Sequence, residues 1–199
     1  MEGHFFLTGI LIGILFGVPA GAIGALTIKH TLENGFVAGM VTGLGSSVAD
    51  VIYACVGLLG ISVVTQFLSE KQQILRIVGG IFIIIYGMSM LKQTKQKRDD
   101  RDLKKGYVIC FTESFAIAIL NPITVTTFFI AFSSFGVDIN SLIREKLLLV
   151  FGVLTGTMLW WLTLSGAIYW FREKLLRWLP MINKAIGIVL MIIGSIMLI

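Results

Sequence analysis

Long apolar stretches alternate with short polar ones along this chain, and six of the stretches are long enough to cross a bilayer. They run Phe5–Ile28, Phe36–Val64, Ile74–Leu91, Tyr107–Phe132, Leu147–Phe171 and Leu179–Ile199. Leu, Ile, Val, Phe, Gly and Ala fill them without period-two alternation, so they read as helices and not as barrel strands. A hydrocarbon core of about 30 Å takes roughly 20 apolar residues in a helix. The pattern therefore predicts an all-α integral membrane protein of six transmembrane helices joined by short loops. The leader Met1-Glu-Gly-His4 lacks the positive charge of a signal peptide, so the first run is expected to be a retained span.

Composition agrees. Of 199 residues, 56% are hydrophobic and 14% charged, with a mean hydropathy of +0.93. A soluble domain carries about a quarter charged residues to cover its surface, so a soluble enzyme is excluded. The charges that remain set a topology. Lys29, the run Lys92, Lys95, Lys97, Arg98, Arg101, Lys104 and Lys105, and Arg172, Lys174, Arg177 and Lys184 flank one side of the spans. Lys71, Arg76, Arg144 and Lys146 flank the other. The positive-inside rule then puts both termini outside and the basic 92–106 loop in the cytoplasm. That loop reads as a retention signal, with no call for a nucleic-acid partner.

The two halves correspond. Span 1 is interrupted by Pro19 within Gly17-Val-Pro19-Ala-Gly21, and span 4 by Pro122 within Asn121-Pro122-Ile-Thr124. Span 2 carries Gly39-x-x-x-Gly43 and span 5 Gly152-x-x-x-Gly156, while Gly80 and Gly87 in span 3 answer Gly187 and Gly194 in span 6. Three spans per half invert the second half, which gives a three-helix repeat at 1–91, a basic linker at 92–106 and an inverted repeat at 107–199. In transporters that plan surrounds a midplane site made by broken helices. A proline removes a backbone donor and leaves carbonyls to be satisfied by protein, water or ligand. Pro19, Gly21 and Pro122 are therefore the expected hinge positions, against the plainer reading of packing kinks.

Asp50 is the lone charge of the second run, roughly 21 Å along the helix from Phe36 at 1.5 Å per residue. A carboxylate at that depth must face the bundle interior and is a candidate to take up a proton or to meet a substrate ammonium. Its helical neighbours Ser46, Ser47 and Tyr53 share that face. Asn121 offers donors and an acceptor beside Pro122, with Thr124 close behind. Glu113 lies nearer the cytoplasmic end, within reach of Lys29 or His30, as an entrance or gate candidate. Trp160 and Trp161 are mid-span and read as packing, or as one wall of a cavity.

The stretch Pro19-Ala-Gly-Ala-Ile-Gly-Ala-Leu-Thr-Ile-Lys-His-Thr-Leu-Glu-Asn-Gly35, with Gly39, Gly43, Gly45 and Ala49-Asp50, resembles the first signature of the LysE-type amino-acid exporter family. Leu120-Asn-Pro-Ile-Thr-Val-Thr-Thr-Phe-Phe129 resembles the second. The resemblance implies secondary export of amino acids or related small metabolites across a bacterial cytoplasmic membrane, driven by protons. It implies central or hinge roles for Pro19, Gly21, Asp50, Asn121 and Pro122. Ala22 stands where many members have a second proline, and Ile123 where many have lysine.

Other readings stay open. A metal-ion exporter would need clustered His, Cys or carboxylates, and the sequence offers Asp50 and Glu113 at different depths. A thiol electron carrier would need a cysteine beside each proline, whereas Cys55 is in span 2 and Cys110 is twelve residues before Pro122. No cofactor or metal is called for, and the small-residue faces leave a homodimer open.

Overall fold

The computed structural model describes residues 2–17, 21–59, 71–92, 103–137 and 141–198, and every regular element among them is helical. In chain order these are α1 (Glu2–Gly17), α2 (Ala22–Asn34), α3 (Phe36–Leu59), α4 (Gln72–Lys92), α5 (Leu103–Ile119), α6 (Pro122–Ser134), α7 (Ile143–Trp170), α8 (Arg172–Leu176) and α9 (Leu179–Leu198). By length and composition, stretches of α3, α7 and α9 can each cross a membrane, and shorter apolar stretches lie in α1, α4 and α5. The first apolar run is divided between α1 and α2, and the fourth between α5 and α6. Pro19 and the basic positions 93–102 lie outside the described residues.

The division of the fourth run has a local cause. Pro122 has no N–H to give the Ala118 carbonyl, and Asn121 N–H takes that acceptor instead at 3.1 Å. The ring suits the first position of α6, where an N–H would be orphaned in any case. Between α2 and α3 the chain reverses through Gly35, whose φ of +91° and ψ of 179° are open only to glycine.

Four glycine-rich or small-residue seams hold the helices together. α1 and α7 run parallel, with Gly9 against the backbone of Leu149 to Val153 and Gly13 against that of Val153 to Thr157. A methyl on either glycine would overlap a carbonyl of α7, so the backbones touch directly. α4 and α9 cross antiparallel, Gly80 meeting Gly194 and Gly87 meeting Gly187. α3 runs antiparallel to α7, with Ser165 beside Gly39 and Trp161 packed on Gly43. Along α5 it runs parallel, Thr42 joined to Ser114 and Tyr53 to Ile119.

The outward faces are apolar. Leu7, Leu11 and Leu15 on α1, Ile74, Ile81 and Ile85 on α4, and Ile188, Ile192 and Ile196 on α9 are exposed. Thr8 and Ile12, on the opposite side of α1, are buried. Such a surface matches lipid, not water.

Candidate functional site

Two polar regions lie along α3, one near each end. The deeper one is built on Asp50 and Tyr53, a turn apart on one face. Tyr53 is 4% exposed, and its hydroxyl donates to the Ile119 carbonyl, the last of α5. That carbonyl has no helical donor, because the chain breaks before position 123 can supply one. Tyr53 thereby ties α3 to the junction that carries Asn121, Pro122 and Thr124. The Thr124 N–H closes the turn onto the Asn121 carbonyl at 3.2 Å. Asn121 and Thr124 are half-buried, as is Asp50.

Asp50 has no hydrogen bond or ion pair among the described residues. A carboxylate held inside a helical bundle without a donor is costly, so its position calls for a proton, a water or a cationic ligand. Ser46 and Ser47 are buried on the same helix, and the Ser47 hydroxyl is without a partner. The Trp161 indole N–H on α7 and the Thr27 hydroxyl on α2 are also buried and unsatisfied. The core along α2, α3 and α7 thus presents several polar groups with spare bonding capacity.

Glu113 is not in this region. It stands two turns earlier on α5, where Tyr86 of α4 donates to its Oε2 at 2.8 Å and His30 Nε2 of α2 lies 3.3 Å from the same oxygen. His30 Nδ1 is 2.8 Å from the Thr42 hydroxyl of α3, which itself donates to the Ala38 carbonyl at 2.8 Å. Ser114 donates to the Thr42 carbonyl. Lys29, 5% exposed, sits on α2 with Nζ 5.5 Å from the Tyr86 ring centroid, a cation–π approach that helps a buried ammonium. The second region is thus a bonded network across four helices.

The sequence singled out Asp50, Ser46, Ser47, Tyr53, Asn121, Thr124 and Glu113 as binding candidates, with Glu113 nearer the entrance and within reach of Lys29 or His30. The structure ties Tyr53, a turn from Asp50, to the end of α5 just before Asn121 and pairs Glu113 with His30 and Tyr86 instead. Gly21 stands at the N-terminus of α2 with an extended φ of −101°, and its carbonyl accepts from Ala25 N–H at 3.2 Å. Sequence reading placed Lys29 at the flank of the first span, just past Ile28, but it is a buried residue of α2, which runs on to Asn34. It also passed over Thr42, Tyr86 and Ser114. The available signal was Glu113 itself, since an acid in an apolar helix requires donors from its neighbours.

A cavity of about 710 Å³ opens at the same end of the bundle as the Glu113 network. Asn34, Gly35, Phe36 and Val37 of the α2–α3 turn line it, with Tyr107, Tyr169 and Arg172. Arg172 caps α2 there, its Nε donating to the Leu32 carbonyl at 2.9 Å. Glu33 accepts from Asn183 of α9 at 2.8 Å. Among the described residues no group of three His, Cys, Asp or Glu side chains converges as a metal site would require. Cys55 and Cys110 are free, on α3 and α5.

Known proteins resemble the chain over nearly its whole length. One relative is a Bacillus subtilis (strain 168) protein named as a candidate amino acid efflux protein, YcgF. It is 27% identical over 201 residues, covering 96% of this chain and 93% of the relative. Another is an uncharacterised membrane protein of Escherichia coli (strain K12), YahN, 26% identical over 92% of this chain and 78% of its own. A third, the chemotactic transduction protein ChpE of Pseudomonas aeruginosa, is 23% identical over 85% of this chain and 84% of its own. No solved structure matches. The family model described as LysE type translocator matches residues 14–199, within which both polar regions of α3 fall. With its apolar outer face and interior acid, the chain belongs to the LysE-type translocator family, whose members are membrane transporters and not enzymes.

Proposed function

We propose that this protein exports amino acids or related small metabolites across a bacterial cytoplasmic membrane, coupled to the proton-motive force by alternating access at a midplane site. The observation that carries the reading is Asp50, an acid inside α3 with no partner among the described residues, a turn from the Tyr53 bond to the α5–α6 break. An exported amino acid offers an ammonium to such a carboxylate, and a proton can occupy the same place when the substrate has left. Mutual exclusion of the two would couple their movements in opposite directions. The name of the Bacillus subtilis relative points to the same substrate class.

The packing senses support a six-span inverted repeat. Take α1–α2, α3, α4, α5–α6, α7 and α9 as successive crossings. Spans 1 and 5 must then run alike, as must spans 2 and 4, while spans 3 and 6, and spans 2 and 5, must run oppositely. The four seams have those senses. Exchanging spans 1, 2 and 3 with 4, 5 and 6 turns the α1/α7 seam into the α3/α5 seam and returns the other two to themselves. A two-fold axis in the membrane plane has that effect. On this reading residues 1–91 and 107–199 are the repeats, 92–106 is their cytoplasmic linker, both termini lie outside, and Pro19 and Pro122 mark the paired breaks.

The test is an efflux screen with pools of amino acids and dipeptides in cells overproducing the chain, followed by uptake into everted vesicles under an imposed pH gradient. At least one pool should leave the cell faster with the chain than without it, and the vesicle uptake should collapse when the gradient is dissipated. Uptake that ignores the gradient would remove proton coupling. The absence of any exported pool would remove the substrate class.

A further inference from the structure

Hydrogen accounting in the Glu113 network leads beyond the central site. Thr42 has one hydroxyl proton, and its oxygen lies 2.8 Å from both the Ala38 carbonyl and His30 Nδ1. The carbonyl can only accept, so the proton goes there, and Thr42 must accept from His30 Nδ1–H. The imidazole thus has its Nδ1 proton committed. At Nε2 it faces Glu113 Oε2 across 3.3 Å, and that oxygen already receives the Tyr86 hydroxyl. One proton has to lie between Nε2 and Oε2. It makes either an imidazolium facing a carboxylate or a neutral imidazole facing a carboxylic acid. Without it, a lone pair faces an anion.

We propose that His30 and Glu113 form a one-proton site that latches α2 to α5 at the cavity end of the bundle. With the shared proton the two helices are tied; when it leaves to water, the contact turns repulsive and the helices part. His30 is 5% exposed and Glu113 27%, so the acid is the partner through which the proton exchanges. The groups around the pair are Lys29 and Glu33 on α2, Tyr86 on α4 and Cys110 on α5. Lys29 lies against the Tyr86 ring, and Glu33 is engaged by Asn183 of α9. From α3 the pair meets Thr42, which does not titrate. The latch is independent of what the protein carries; its use as a gate on export rests on the reading above.

Cys110, 2% exposed and one turn before Glu113 on α5, reports the state of the latch. The full chain carrying Cys55→Ala, in lipid nanodiscs, would be labelled with N-ethylmaleimide from pH 5 to pH 9. The same chain with Glu113→Gln is the reference, because glutamine can turn its amide nitrogen to the Oε2 position, giving one N–H to His30 Nε2 and the other to the Tyr86 oxygen, and has no proton to lose. The charge of Glu113 acts on the Cys110 thiol, so each rate is first divided by the thiolate fraction measured for its own chain, and the ratio of the corrected rates isolates the latch. The ratio should stay near unity at the acid end and rise about tenfold or more toward pH 9, as a shift in the populated state requires. A ratio that does not change with pH overturns the proposal.

Should Glu113→Gln fail to fold, nitrogen-15 spectra of His30 in a His4→Gln chain decide the matter. Loss of the Nε2 proton with Nδ1–H retained, replaced in Thr42→Val by a neutral ring that keeps Nε2–H, supports the latch. A His30 that titrates identically in both chains overturns it. Export assays on the same preparations separate the two ideas. A latch without export sinks the transport reading alone, and export without a pH-dependent ratio sinks the latch alone.

Discussion

The two ends of α3 solve opposite problems with similar residues. Near its start, Thr42 accepts from His30, donates to Ala38 and lends its carbonyl to Ser114, so that α2, α3 and α5 are joined by groups that use one another's capacity. Further along, Asp50 stands with no partner among the described residues, while Ser47 one turn before it is buried and unsatisfied. In a low-dielectric interior a satisfied network is rigid, and an unsatisfied acid waits for something to bind. On the proposed function, the network around Thr42 is a joint and the region of Asp50 a place for cargo. Glu113 belongs to the joint, although by residue type it could have belonged to either.

Substitutions can break this contrast, and the largest effect is expected at Asp50. Asp50→Asn should lower gradient-driven transport in everted vesicles by at least about a hundredfold, or roughly 2.7 kcal/mol of barrier, with the chain still inserted and monodisperse. Normal transport by that variant would leave the deeper region without a role. At the joint, Thr42→Val keeps the shape but orphans the His30 Nδ1–H, at a cost of about 1–3 kcal/mol in stability. It should show as a lowered melting temperature in detergent, and an unchanged one would mean that the network is slack.

Tyr53→Phe tests the link between the deeper region and the broken helix. It removes the donor to the Ile119 carbonyl, for a loss of about 0.5–1.5 kcal/mol, and transport should suffer more than stability does if the junction positions the site. Equal losses in both would reduce Tyr53 to a packing residue. The smallest effect is expected for the Cys55→Ala, Cys110→Ala double variant, which should export at close to the native rate. A dead double variant would revive thiol chemistry.

Much of this was legible in the chain. The apolar helices and the acid inside one of them at Asp50 need only helix geometry and the intolerance of lipid for unpaired polar groups. The pairing of Tyr53 with Ile119 was not legible, because the two are 66 positions apart and any hydroxyl in the bundle could have met that carbonyl. Nor was the burial of Lys29 and His30. Their charges look like the end of a span, whereas α2 carries them inward as far as Asn34.

By itself, then, the sequence determined where the protein lives and which residues are too costly to be idle, since both follow from composition and from the free energy of a charge in an apolar medium. Only the tertiary structure decided which polar residues satisfy one another. It sent Glu113 to His30 and Tyr86, and left Asp50 without a partner among the described residues, a turn from the Tyr53 bond to the end of α5. Those choices depend on which faces of separate helices meet, through seams such as Gly43 on Trp161 and Gly9 on α7, and no local pattern encodes that.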